Sequence, residues 1–271
     1  MTKDALRIDG LEKRYGAQLV LQGLNLRVQR GEIFALLGVN GAGKTTALEC
    51  VEGLRRYDAG HIAVSGRLGI QPQAAALPAH IRPLEAVRLF AKWNRAKPDS
   101  ALLAALGIDA LAKKQYAQLS MGQKRRLHLA LALTGDPDIV FLDEPTAGLD
   151  VEGRLSLHDL IRQLKARGKT VILVSHDMAE VEELCDRLAI LSRGRLVFLG
   201  TVAELTARVG RRYNLRIQTD RGEECHTTDD VAGTLLNLLG GYRQQGLAVL
   251  DVRVDRGSLE QHFIQIARGL E

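Results

Sequence analysis

The chain has 271 residues, 46% of them hydrophobic and 25% charged, with a net charge of +5 and a pI near 9.2. That balance excludes a disordered polar chain and leaves room for one large or two smaller globular domains. The mild basic excess suits an anionic ligand or an acidic membrane surface, and a solvated basic surface equally well.

In chain order, "ALRIDGLEKRY" and "LNLRVQRGEI" read as strands. "IFALLG" has the profile of a buried parallel strand, and "GKTTALECVEGL" follows with helical spacing at Ala47, Leu48, Val51 and Leu54. "GHIAVSG" is another strand, followed by "RLGIQPQ". From about 80 to 135 the pattern is helical, with segments at "PLEAVRLFAKW", "SALLAALG" and "SMGQKRRLHLALALTG". "DIVFLDE" and "TVILVSHD" are apolar strands around the amphipathic "RLSLHDLIRQLKARG", and "MAEVEELCDRLAIL" begins as a helix. "LAILSRGRLVFLG" turns as a hairpin at Arg193-Gly194. Strands alternating with helices predict an α/β fold with a parallel sheet over 1–205. Beyond it, 206–271 reads as a small α+β appendage: a hairpin turning at Asp220-Arg221-Gly222, the helical "VAGTLLNLLGGYRQQ", the strand "AVLDVRVDR" and a closing helix "SLEQHFIQIARGL".

No run reaches the roughly 18 to 20 apolar residues that span a bilayer. The N-terminal "MTKDALRIDG" lacks the apolar core of a secretory signal. Cys50, Cys185 and Cys225 lack metal-type spacing and suit reduced thiols. The expectation is a cytoplasmic chain that reaches a membrane through a partner.

Gly38-Val39-Asn40-Gly41-Ala42-Gly43-Lys44-Thr45 fits GxxxxGK[ST] between a buried strand and a helix. Glycines let consecutive amides curl into an anion nest that the helix N-terminus reinforces. Lys44 is placed for the β- and γ-phosphates, and the Thr45 hydroxyl for Mg²⁺. "IVFLDEPTAGLD" delivers Asp143 at a strand end, where it is placed to hold Mg²⁺ through water. The adjacent Glu144 is placed as general base for an attacking water. His176 follows another apolar strand at the same sheet edge, which favours a γ-phosphate contact over a bland surface histidine. Ser120 and Gly122 open a helix and offer a second anion-binding N-terminus, which makes sense if it serves a neighbouring chain's nucleotide.

Together these ordered motifs resemble the nucleotide-binding subunit of an ATP-binding-cassette (ABC) transporter, over roughly residues 5 to 205. "LSMGQ", Leu119–Gln123, stands where the family has LSGGQ, "IVFLDE" where it has its Walker B strand, and "AGLD", Ala147–Asp150, where it has its D-loop. The resemblance implies a RecA-like core, an antiparallel β part and a helical subdomain. It implies ATP with Mg²⁺ held by Thr45, Asp143 and Gln73, adenine stacked on Tyr15, and nucleotide contacts from Gly38, Asn40–Thr46, Ser120, Gly122, Gln123 and Asp150. Glu144, His176 and Gln73 would serve hydrolysis.

It further implies a head-to-tail pair of cassettes, each ATP closed between one P-loop and the other subunit's signature helix, working on an integral-membrane permease. No nucleic-acid partner is expected. "GSLEQHF", Gly257–Phe263, resembles a segment of bacterial drug- and antibiotic-exporter ATPases, which points to export of a drug-like or other small molecule. The alternatives are a non-transport ABC ATPase, for example in iron–sulfur assembly, and a non-hydrolytic subunit, against which Glu144 and His176 argue.

Two departures stand out. Met121 replaces the first signature glycine, and strain follows if that position needs φ > 0. The stretch between "IAVSG" and "LGIQPQ" is short for the family, and Gln71 lies close to Gln73. The basic groups Lys124, Arg125, Arg126 and Arg208, Arg211, Arg212 face lipid, a partner or plain solvent.

Overall fold

The computed structural model describes residues 4–72, 76–175, 177–209 and 213–256, side chains at 208, 209, 255 and 256 excepted. Gln73, His176, Arg211, Arg212 and the closing segment with "GSLEQHF" lie outside the described residues, as does the Arg208 side chain. Two compact units divide between Leu199 and Gly200.

The first unit opens with the long antiparallel pair β1 (Asp4–Tyr15) and β2 (Gln18–Gln29). Then comes β3 (Ile33–Leu37), every residue of it buried. α1 (Lys44–Val51) follows the glycine-rich loop, and β4 (Ala59–Val64) returns to pair with β1. β5 (Leu68–Gln71) leads into α2 (Pro83–Trp93), α3 (Ser100–Ala105) and α4 (Met121–Leu133). β6 (Ile139–Asp143), α5 (Val151–Ala166), β7 (Thr170–Ser175), α6 (Met178–Leu184), β8 (Arg187–Ser192) and β9 (Arg195–Gly200) complete the order.

Six strands form one sheet in the order β5-β6-β7-β3-β8-β9, with β5, β6, β7, β3 and β8 parallel. Its central strands read as unbroken apolar runs because both sheet faces are covered. Alternate residues feed two cores. Val140, Leu142, Val171 and Leu173 pack with helices α2 to α6. Phe34, Leu36, Phe141 and Ile172 pack with β1, β2 and α1. Parallel register pairs Leu37 with Ser175 and Asp143 with Val174, so β3, β6 and β7 end at one edge. Three chemistry-bearing loops start there.

The helix α1 is shorter than its apolar spacing suggested. Gly53 adopts φ 75°, the chain leaves the helix after Val51, and Leu54 stands 75% exposed rather than on the buried face. Two residues of the basic stretch after the signature turn back onto their own chain. Lys124 Nζ lies 5.0 Å from the Tyr116 ring centroid, and Arg125 Nη1 donates to the Asp143 carbonyl at 3.4 Å.

The second unit, taken by itself, holds α7 (Val202–Val209), the strands β10 (Tyr213–Thr219), β11 (Gly222–Thr228) and β12 (Val249–Arg256), and α8 (Val231–Gln244). The sheet runs β11-β10-β12 and is antiparallel throughout. Leu215 and Ile217 form its buried face, Asp230 caps α8, and the Tyr242 hydroxyl donates to Glu224 at 2.5 Å.

Candidate nucleotide site

The loop from Gly38 to Lys44 is shaped by positions that exclude side chains. A Cβ on Gly38 would stand 2.6 Å from the Leu191 carbonyl oxygen in β8. Gly43 adopts φ 104° as the N-cap of α1, a conformation that glycine enters without cost. No side chain caps α1, so its first amides face the loop cavity as orphan donors. Lys44 Nζ bends back to donate to the Gly38 carbonyl at 2.5 Å and to that of Val39 at 3.3 Å. Burial pulls the Lys44 pKa down, and Glu144 and Asp143 partly offset this. A cavity of about 420 Å³ opens over this loop, bounded by Asn40–Thr46, Tyr15, Asp143 and Glu144.

The acidic wall comes from the end of β6. Asp143 is 9% exposed, while Glu144 adopts φ 49°, a left-handed conformation that costs a non-glycine residue about 1 kcal/mol or more. Its amide donates to the Val174 carbonyl at 2.8 Å, which ties the kink to β7. Together these groups assemble an anion nest, one lysine and two carboxylates around a single cavity. That set can hold a nucleoside triphosphate and its hard cation.

Two further residues that the sequence reading did not single out, Arg55 and Glu49, line this site, and two more, Lys13 and Glu52, lie beside groups that do. Arg55 sits with its guanidinium 5.2 Å from the Tyr15 ring centroid and donates to Glu49 at 2.5 Å, and both line the cavity. Lys13 Nζ also lies over Tyr15, at 5.5 Å. The Glu52 carboxyl is pushed up to about 7, first by burial and then by Asp143 and Glu49.

Ser120, Gly122, Gln123 and Asp150 stand elsewhere. They line a second cavity of about 670 Å³ together with Gln71, and no P-loop residue borders it. Ser120 N-caps α4: the Gln123 amide donates to Ser120 Oγ at 3.3 Å, and the Ser120 amide donates to Gln123 Oε1 at 3.2 Å. Asp150 Oδ1 accepts from the Gly153 amide at 2.8 Å and caps α5. Gln71 is buried at the end of β5, and its Oε1 finds no hydrogen-bond partner among the described residues. Thus one chain carries two helix starts, one capped by Gly43 and one by Ser120, over two different cavities.

Comparison with known proteins gives the family and the fold. The family model for the ABC transporter matches residues 21–147. A daunorubicin resistance ATP-binding protein, DrrA3 of Streptomyces coeruleorubidus, is 33% identical over 98% of this chain and 96% of its own length. The chain belongs to the ABC transporter family. A Nod factor export ATP-binding protein I of Burkholderia orbicola is 41% identical over 70% of this chain and 68% of its own. A solved ATP-binding subunit of an ABC transporter superposes with a TM-score of 0.70 at 27% identity, over 76% of this chain and 93% of that one. This chain is an ATP-binding and ATP-hydrolysing transport ATPase with the ABC cassette fold, and these relatives lend no support to a non-transport role. No helix among the described residues is long and apolar enough to cross a membrane.

Within this ABC ATPase, Met121 does not carry the strain its position suggested. It is the first helical residue of α4, it is absent from the positive-φ positions, and it is 64% exposed. Its Cγ lies 3.3 Å from where a Cβ on Gly148 would stand, so the thioether lies against the loop that leads to Asp150. A flexible side chain in an open position needs no backbone compensation. Met121→Gly is therefore expected to keep steady-state ATP turnover within about twofold of the parent, since surface changes away from strain shift little. A larger rise in phosphate release would mean that the methionine does obstruct the signature.

Proposed function

We propose that this ATPase works as one of two head-to-tail cassettes that drive a membrane permease, and that the cargo is a drug-like or other small molecule leaving the cell. The division of Lys44 and Ser120 between two separate cavities carries this reading. One chain needs a single phosphate cradle for a single ATP, and the second helix start finds its use at the γ-phosphate held by a partner's P-loop. Export and a cytoplasmic place beneath the permease draw support from relatives named for drug resistance and Nod factor export.

In the proposed roles, Lys44 and the amides of Gly41–Thr46 hold the phosphates, and Tyr15 stacks on the base. Glu144 takes the proton of the attacking water, with Gln73 and His176 assisting at the γ-phosphate. Thr45 and Asp143, two hard-oxygen donors on one cavity, fit Mg²⁺, which would neutralise phosphate charge when bound. Closure on ATP and reopening after hydrolysis give the permease two states to follow.

Mixing two inactive proteins tests the pair. Lys44→Ala breaks a P-loop and Ser120→Arg breaks a signature, so in a mixed pair one composite site carries both defects and the other carries none. Combined in equal amounts, the two variants should recover roughly a quarter of wild-type turnover per subunit, as expected for random C₂ pairing. Persistent inactivity of a mixture shown to contain mixed pairs would sink the shared-site reading.

A further inference from the structure

One exposed face of the first unit has no part in the roles above. Helix α2 buries Pro83, Ala86, Val87 and Ala91, and its outer side carries two neighbouring strips. Leu89 is 53% exposed, and Trp93, one turn on, is 79% exposed. Arg88 and Lys92, also one turn apart, are exposed on the adjoining strip. The Phe90 ring packs against the core and stands 6.2 Å from the indole, centroid to centroid, so most of Trp93 faces water. A side chain of that size ordinarily finds cover.

The charge beside these apolar residues is mostly of one sign. Between positions 82 and 99 five basic residues stand against two acids. Arg95 and Lys97 are exposed just past the end of α2, and among the described residues neither they nor Arg88 and Lys92 form an ion pair. Both acids serve helix starts: Glu85 accepts from the Arg82 amide at 2.9 Å, and Asp99 from the Leu102 amide at 3.1 Å.

A protein and a lipid surface make different demands on such a face. A stable protein interface covers roughly 800 Å² per partner, and two apolar side chains on a convex helix fall far short of that. A bilayer deforms around them. Tryptophan favours its headgroup level, and Lys and Arg lay their apolar stems along it while their charges meet lipid phosphates.

We propose that the outer face of α2, Leu89 and Trp93 with Arg88, Lys92, Arg95 and Lys97 beside them, docks on the anionic cytoplasmic leaflet of the membrane. This rests on the reading that the ATPase works beneath a permease, and it adds a reversible lipid foothold to that partner.

Trp93 is the chain's single tryptophan, so its fluorescence reads the contact directly. The full chain mixed with phosphatidylglycerol vesicles should show blue-shifted emission and quenching by brominated acyl chains. Phosphatidylcholine vesicles should cause neither. In cosedimentation, Arg88→Gln with Lys92→Gln should weaken binding by about 25-fold, roughly fivefold per charge. Arg27→Gln with Arg30→Gln, an equal loss of exposed charge on and after β2, should stay within about twofold. Trp93→Ala should cost about tenfold with ATP turnover in solution kept within about twofold.

Equal binding to both lipids, an unshifted Trp93 on acidic vesicles, or equal losses in the two double variants would each overturn the proposal. A blue shift on inside-out cell membranes but not on pure lipid would give this face to a protein and overturn it too. A protein that passes the mixed-variant turnover test yet leaves Trp93 unshifted defeats the lipid contact alone. Failure of that turnover test with Trp93 shifted defeats the cassette pair and leaves the contact standing.

Discussion

Glu144→Gln is expected to cut steady-state phosphate release by roughly 10²- to 10⁴-fold, the usual worth of a positioned general base. ATP affinity should stay within a few-fold of the parent. The amide has the carboxylate's shape but cannot take a proton from water, so the chemical step fails while the cavity keeps its form. The replaced atoms are terminal, and φ 49° and the bond to Val174 belong to the main chain and survive the change. One side effect has a definite sign. Glu144 helps to hold the Lys44 charge against burial, so its neutralisation lowers the Lys44 pKa further. With saturating Mg-ATP the variant should accumulate as a dimer by light scattering, since closure is permitted and the exit through hydrolysis is blocked. Hydrolysis within about threefold of wild type would put the base elsewhere, by the same measure of what a base contributes. A monomer at saturation would remove the head-to-tail pair.

How far the sequence alone could lead depended on what each feature needs from its residues. The phosphate loop was legible because its geometry is a composition: Gly38 faces a carbonyl that would strike any Cβ, and Gly43 occupies a left-handed cap. β3, β6 and β7 were legible because burial on both faces leaves an unbroken apolar run. The helix start at Ser120 was legible because serine is a favoured N-cap; the capping box that it forms with Gln123 came from the structure. Leu54 misled because apolar spacing continues past Gly53, where the backbone does not. Arg55 and its partner Glu49 escaped notice because Arg55 meets Tyr15 only when the end of β1 is folded against the end of α1. Glu180 escaped for a different reason. An acid in the first turn of a helix reads as a partner for the helix dipole, and nothing local says that this one is buried against the Ser175 hydroxyl.

Lys44→Ala is expected to weaken Mg-ATP binding by about ten- to a hundredfold, the equivalent of one lost charge-assisted contact of about 1.5–3 kcal/mol. Hydrolysis should fall below detection in the same preparation. The lysine is the cation that the loop itself provides, and its neighbours Asp143 and Glu144 are both acidic. Without it, triphosphate would enter a cavity whose remaining side-chain charges at that end repel it, leaving the backbone amides of Gly41–Thr46 as the attraction. The fold should notice less. Nζ now satisfies the carbonyls of Gly38 and Val39, and water entering the open cavity can replace it at both. A melting temperature close to that of the parent, measured beside the nucleotide titration, would separate lost recognition from lost structure. Unchanged affinity in that titration would remove Lys44 from the phosphate site and leave the amide nest to account for binding alone.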